Sequence, residues 1–377
     1  MIDLDQAAST PVRPAVTARM RALLEDEHAN PSSLHAAARS ARKVVEEARE
    51  TVAAALGARP EEIVFTSGGT EADNLAVLGA ARRRRREGRD RVVVSAIEHR
   101  AVLDSARHLE REGFDVAIAP VEASGRVDLE ALGGLVDGRT SLVAVMAANN
   151  ETGVVQPIDA VAEIARAHGA WFHTDAVQSF AWLDARTIDA DLAAVSAHKI
   201  GGPKGVGALV VRRGIRIEPI LHGGGQERGV RPGTLNTVGI GGFAAAVEEL
   251  VASRDAVAAR VATLRDRLEA RLAALDAVTV TAAGSPRLPG HVHVCVDGVD
   301  AETLLVLLDA AGVCASSGSA CSSGAAEVSH VLRAMGIPDR RARGALRLSL
   351  GATTTEAQVD EAAGVIERAI AQLQGRR

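Results

Sequence analysis

The chain predicts an α/β protein: a large domain built on a mostly parallel sheet, plus a smaller C-terminal α/β domain. Three observations predict this. Short apolar runs of strand length alternate with helical periods through most of the sequence. Several of those runs end in polar residues set in glycine-rich turns, as strands do at the ligand-bearing edge of an open sheet. After one long helical stretch, the pattern changes to short strands and amphipathic helices.

Taken in order, Ala41, Val44, Val45, Ala48, Val52, Ala55 and Leu56 mark one face of a long helix stopped at Gly57. Glu62–Thr66 reads as a strand, and Ser67-Gly-Gly-Thr-Glu71 turns from it into a helix over Ala72–Arg86. Arg91–Ser95 is a strand with Glu98-His99 at its end and a helix to about Gly113. Asp115–Ala119 and Ser141–Ala147 continue the alternation, the latter leading to Asn149-Asn150-Glu151-Thr-Gly153. Trp171–Asp175, Leu192–Ser196 and Ala208–Val211 are further strands, and a long helical stretch then runs to about Leu275. Beyond it come strands at Val278–Thr281, His291–Val296 and Ala345–Leu350, with helices at Ala301–Ala311 and Thr355–Leu373. The expected division is residues 13–250 as the large domain, and residues 1–12 with 251–377 as the small one.

Composition bounds the function classes. The 377 residues are enough for roughly two domains with substantial cores. Hydrophobic content of 47% and a net charge of −5 give no reason to expect nucleic-acid binding. The run Arg82–Arg86 closes a helix, where positive charge suits the dipole, and reads as a solvated helix end. No apolar stretch has the length of a membrane span, and Met1-Ile-Asp-Leu-Asp5 lacks a basic-then-apolar signal pattern, so a cytoplasmic protein is expected. Cys295, Cys314 and Cys321 form no paired framework.

The chemistry gathers at the strand ends. Leu192–Ser196 runs into Ala197-His198-Lys199, which places a lysine at the rim of a sheet, where partial burial favours the neutral amine. Trp171–Asp175 ends in an acid, with Gln178 shortly after it. An acid and a lysine on neighbouring strand ends suit pyridoxal phosphate: the acid keeps the ring nitrogen protonated and the lysine holds the aldehyde as a Schiff base. Taken singly, each residue also reads as a helix cap or a surface lysine. Ser67-Gly-Gly-Thr70 between strand and helix fits a phosphate cup as well as a plain turn. It is neither a dinucleotide fingerprint nor a P-loop. His99 suits ring stacking and acid–base work, or simply a histidine opening a helix. His291, His293 and Cys295 alternate on one strand face, but no fourth ligand is evident and an ordinary strand is the reading taken, with no metal. Cys321 lies among small polar residues in Ala315–Gly324, an accessible setting for a nucleophile or for an incidental loop cysteine, whereas Cys295 and Cys314 sit in apolar runs expected to be buried.

Together these segments resemble the NifS/IscS-type cysteine desulfurases, class V aminotransferase relatives of the fold-type I pyridoxal-phosphate enzymes. The resemblance runs through Asp5–Thr10, Asn30–His35, Phe65–Glu71, Glu98-His99, Asn149–Gly153, Asp175–Gln178 and Ser196–Lys199. It continues through Gly224–Arg228, Arg231–Thr234, Ser317–Cys321 and Arg347–Gly351. It implies that Lys199 carries the cofactor, Asp175 pairs with its ring nitrogen, Gln178 reaches the ring oxygen and His99 stacks on the ring. Gly69, Thr70, Ser196 and His198 would hold the phosphate, with Thr234 supplied by the second subunit of a homodimer. Asn150 and Arg347 would hold the carboxylate of L-cysteine, Asn150 being counted among the cofactor contacts too. Cys321 would take the sulfur as a persulfide and pass it to an acceptor or scaffold protein, for iron–sulfur cluster assembly or other sulfur trafficking. The span from Cys321 to Ser329–Leu332 matches the long-loop branch of the family. Gln6, Pro232 and Val328 depart from the family pattern (Asn, Ser and Pro), and Pro232 bears on the Thr234 role. Other readings of the same residues are a class V aminotransferase or lyase that does not use Cys321, and a non-catalytic pyridoxal-phosphate-binding partner protein.

Overall fold

Seven strands form the central sheet of the computed structural model, which describes residues 1–318 and 328–375. Their order across the sheet is Ile63–Thr66, Gly207–Val211, Leu192–Ser196, Trp171–Asp175, Thr140–Ala144, Arg91–Ser95 and Asp115–Ala119. From Leu192–Ser196 to Asp115–Ala119 every neighbouring pair is parallel. Gly207–Val211 runs antiparallel to both its neighbours. A short connection holding one 3-10 turn, Ala197–Lys199, and no α-helix joins it to Leu192–Ser196, as suits an antiparallel pair. Gly207 is required at its place: a Cβ there would lie 2.7 Å from the Gly68 backbone.

Helices cover both faces. Gly69–Arg85 buries Ala72, Leu75, Ala76 and Ala80 against Val64, Val92, Leu142 and Leu209 of the sheet. On the opposite face Ala36–Ala55 packs Val45, Ala48 and Val52 against Phe65, Val195 and Ala208. The strand expected over Ser141–Ala147 is Thr140–Ala144, because the Met146 N–H leaves the ladder for the Glu98 carboxylate. The basic helix end is paired and stacked: Arg82 meets Glu112, Arg86 meets Glu218, and Arg84 and Arg85 lie over Trp171 and Phe114.

The helix Thr237–Ala273, 37 residues and about 55 Å long, joins two cores. Asn236 starts it by accepting the Gly239 N–H on its side chain. Ile240, Phe243, Val247 and Leu250 belong to the core under the large sheet. Val261, Leu264, Leu268 and Leu272 belong to a second core with Ile2, Leu4, Val292, Val294, Leu346, Leu348 and Ile366. The second core backs a three-stranded antiparallel sheet, Ala345–Ser349, His291–Val296 and Val278–Val280. The N-terminal arm joins it, Ile2–Asp3 pairing with Val313–Cys314. Val328 is buried in a smaller cluster with Ile97 and Met146, which accommodates its departure from the family's proline. Among the described residues, no helix is long and apolar enough to cross a membrane.

Candidate active site

Asp175 and Ser196 are the last residues of two parallel neighbours, with Asp175 opposite Ala194 in the register. Both therefore leave the sheet at the same edge. Asp175 is buried, and one carboxylate oxygen accepts the Val177 N–H at 2.9 Å. The turn Ala197–Lys199 follows Ser196 and brings the half-buried Lys199 above the edge. Its Nζ donates to the carbonyls of Ala7 (2.6 Å) and Ala8 (2.9 Å) in the N-terminal arm. His99 caps the helix Arg100–Arg111, and its Nδ1 accepts the Ala101 N–H at 3.1 Å. That bond leaves the proton of the neutral ring on Nε2. Ligand atoms of His99, Asp175 and Asp73 lie within 4.8 Å of one another. Burial raises the Asp175 pKa, and the charges of His99 and Lys199 pull it back.

A second group of residues forms an anion end. Gly68 and Gly69 open the helix Gly69–Arg85, whose first N–H groups have no intrahelical partner and a positive dipole behind them. A Cβ on Gly69 would stand 2.7 Å from Val177, so the close approach of helix and strand end needs glycine. The Ser196 hydroxyl is buried and has no hydrogen-bond partner among the described residues. Thr70 is exposed in the first turn. His198 places Nδ1 3.3 Å from the Ser9 hydroxyl, and burial, with Lys199 and Lys204 nearby, lowers its pKa to about 4. A phosphate suits this end: an orphaned buried hydroxyl and a helix N-terminus would meet its oxygens.

The third group comes from the small sheet. Arg347 is buried in Ala345–Ser349, and its Nη1 donates to the Asn150 carbonyl at 3.0 Å while Nη2 meets Asp5 at 2.8 Å. Its Nε is buried without a partner among the described residues. The chain at Ser316 pairs with the Arg347 backbone, so the segment leading toward Cys321 starts beside the guanidinium. Ser329, on the far side of that segment, donates to the buried Glu151 at 2.5 Å. Cys321 itself lies outside the described residues. Gln178 Nε2 donates to the Ala7 carbonyl at 3.0 Å, in the same cluster as Lys199. Thr234 stands exposed instead, on a loop tied down by the Arg231–Glu71 ion pair and by Gln226 holding the Gly233 N–H. Gln6 donates its side-chain amide to the Asp3 carboxylate.

Sequence reasoning assigned no role to several residues now seen at the site. Asp73 is buried on the helix behind the glycine turn and meets His173 Nε2 at 3.1 Å. Its pKa is raised well above the carboxylate range by burial and by Asp175 and Glu98. Glu98 is likewise raised by burial, one oxygen on the Met146 N–H and the other without a partner among the described residues. Asp5 and the Ala7–Ala8 carbonyls complete the list. An acid in the alanine-rich run Ala72–Ala81 looks like a solvated helix face, and backbone carbonyls carry no sequence signal. Of the three cysteines, Cys295 is buried as expected, but Cys314 is only half-buried because its two-residue strand lies at the edge.

A family model for class-V aminotransferases matches residues 2–362. This chain belongs to the class-V aminotransferase family. Relatives within that family include cysteine desulfurases. It is 46% identical to the IscS-like cysteine desulfurase of Mycobacterium tuberculosis, over 98% of this chain and 96% of the relative. It is 40% identical to the cysteine desulfurase IscS of Dictyoglomus turgidum, over 98% and 94%. Among solved structures, a NifS-like protein superposes with a TM-score of 0.91 at 36% identity, over 98% of this chain and 99% of that one. The architecture is therefore that of the fold-type I pyridoxal-phosphate enzymes, and the NifS/IscS resemblance of the motifs extends along the whole chain.

Proposed function

We infer that this protein is a cysteine desulfurase, converting L-cysteine to L-alanine and moving the sulfur to an acceptor through a persulfide on Cys321. The observation that carries the reading is the shared edge of two parallel strands, which gathers a buried acid, a lysine and an unsatisfied hydroxyl under His99. The full-length identity to cysteine desulfurases supports it.

Pyridoxal phosphate, when bound, supplies the electron sink that makes the substrate Cα–H acidic and the Cβ–S bond breakable. Lys199 would hold it covalently and, once displaced, accept the Cα proton at Nζ. Asp175 would hold the ring-nitrogen proton, Gln178 would reach the ring oxygen, and His99 would stack above and carry a proton at Nε2. Gly69, Thr70, Ser196 and His198 would bind phosphate, joined by Thr234 from the partner in a homodimer. Arg347 and Asn150 would take the substrate carboxylate, Arg347 exchanging part of its Asp5 contact for it. In the sulfur step the Cys321 thiolate would attack the substrate sulfur, an S–S bond forming as the Cβ–S bond breaks; the bonding pair would stay with the carbon frame, whose Cβ takes a proton so that it leaves as alanine. The division into residues 13–250 and 1–12 with 251–377 belongs to the same proposal, supported by the two separate cores. So do a scaffold or acceptor protein in iron–sulfur assembly and a cytoplasmic location, where thiols stay reduced.

The test is brief exposure of the purified protein to L-cysteine, with an alanine assay and mass spectrometry of its peptides. Alanine and one added sulfur on the Cys321 peptide are expected. A keto acid without added sulfur would move the protein to the aminotransferases, and no product at all would make it a binding protein.

A further inference from the structure

The Lys199 ammonium rests on two backbone carbonyls of the N-terminal arm, at 2.6 Å from Ala7 and 2.9 Å from Ala8. Backbone acceptors can hold a charge there only if the arm itself is held. Behind the arm lies a cavity of about 260 Å³, lined by Gln6, Ala7, Thr10, Lys199, Ser349 and Trp182 among others. Ala7 is buried yet borders this open space, so on that side hydrogen bonds tie it down. Gln178 supplies one, to the same Ala7 carbonyl. Ser349 supplies the other: its buried hydroxyl accepts the Ala7 N–H at 2.8 Å and donates to the Leu4 carbonyl at 3.3 Å. Backbone groups already hold the flanking residues, with the Ser349 N–H on the Leu4 carbonyl, the Gln6 N–H on the Ser349 carbonyl and the Ala8 N–H on the Asp5 carbonyl, so what the hydroxyl adds is the hold on the Ala7 N–H.

We propose that Ser349 is a positioning residue for Lys199: its hydroxyl fixes the Ala7–Ala8 turn so that two carbonyls receive the lysine's ammonium group. Resting on the reading of Lys199 as the base of the site, the inference gives that base a built-in acceptor for its protonated form. Hydrogen bonds to the charged form favour it, so an amine facing two aligned carbonyls is a stronger proton acceptor than one facing solvent or apolar walls. Asp175 on the neighbouring strand, His198 in the same turn and His291 on the small sheet also face Lys199. His291 is the ladder partner of Ser349, and that pairing is made by backbone groups that the Ser349 side chain does not supply.

The experiment is competitive acetylation of the full chain, freed of cofactor with hydroxylamine, across neutral to alkaline pH, with the Lys199 peptide read by mass spectrometry. In Ser349→Ala, Lys199 should be acetylated about three- to tenfold faster near neutrality and at the wild-type rate at strongly alkaline pH, because the ammonium form has lost its aligned acceptors. Leu348→Ala, on the same strand but in the apolar core, should lower thermal stability and leave the acetylation profile unchanged. Identical profiles for Ser349→Ala and wild type, or an equal shift in Leu348→Ala, would overturn the proposal. The proposed function fails by a different readout, the absence of lysine-bound pyridoxal phosphate in purified protein, and the acetylation comparison needs no activity.

Discussion

The edge of the large sheet and the face of the small sheet both bring buried polar groups to the site, but in different ways. On the large sheet Asp175 and Ser196 come where strands stop, and their positions follow from parallel topology. On the small sheet His291, His293 and Arg347 lie within strands, His293 directly opposite Arg347 across an antiparallel ladder. The first region is built of acids whose pKa values burial pushes up. The second holds two histidines at about 3, lowered first by burial and then by the Arg347 charge. The difference teaches that burial favours the neutral form in both regions, raising the acids of one and lowering the histidines of the other.

The largest expected effect tests the large-sheet edge. Lys199→Ala should lose turnover by about a thousandfold or more, since no second amine is placed there, and its visible cofactor absorbance should vanish. Normal turnover with a lysine-bound cofactor would break the assignment. Cys321→Ala should cut alanine formation by a comparable factor, roughly a thousandfold, while cofactor absorbance still responds to L-cysteine. Cys295→Ala and Cys314→Ala should keep the persulfide, and sulfur found on Cys314 would overturn the sulfur path.

A moderate effect is expected at the anion end. Gly69→Ala pushes a methyl into Val177, at the 2.7 Å approach noted above, and should weaken cofactor binding by about ten- to a hundredfold. Adding Val177→Ala should restore most of it, and a titration of cofactor-free protein reads both.

The smallest effects separate the two regions by pH. A histidine whose folded pKa is depressed stays neutral in the folded chain while the unfolded chain takes up protons, so its share of stability falls as pH drops below about 6.5. For His293, near 3 when folded, the loss should reach about 2 kcal/mol by roughly pH 5. His293→Gln, which can still meet Thr281, should flatten that limb in urea unfolding curves. Asp73 has the opposite sign: its raised folded pKa makes stability complete below the unfolded value near 4 and loses it as pH rises toward the folded value. Asp73→Asn should therefore flatten the loss on the side of rising pH and leave the acid limb alone. A matching change on the acid limb would show that the two regions titrate together.

The sequence by itself determined the alternation of strands and helices, the long helix, and the end residues Asp175, Ser196 and Lys199, because those are local signals. An apolar run of five residues, a turn of glycines and a charged residue after them can be read without knowing the neighbours. It determined the family as well, through motifs spread along almost the whole chain. Tertiary structure alone decided the parallel register that sets Asp175 opposite Ala194, so that the ends of Trp171–Asp175 and Leu192–Ser196 share one site. It decided that Asp73 is buried beside Asp175, although its helix reads as half-solvated, since Asp73 lies on the face that packs on the sheet. The pairing of Arg347 with Asp5, and of Lys199 with Ala7 and Ala8, joins residues more than 190 positions apart. No local pattern encodes such contacts, because they arise only when two separately packed cores fix the arm between them.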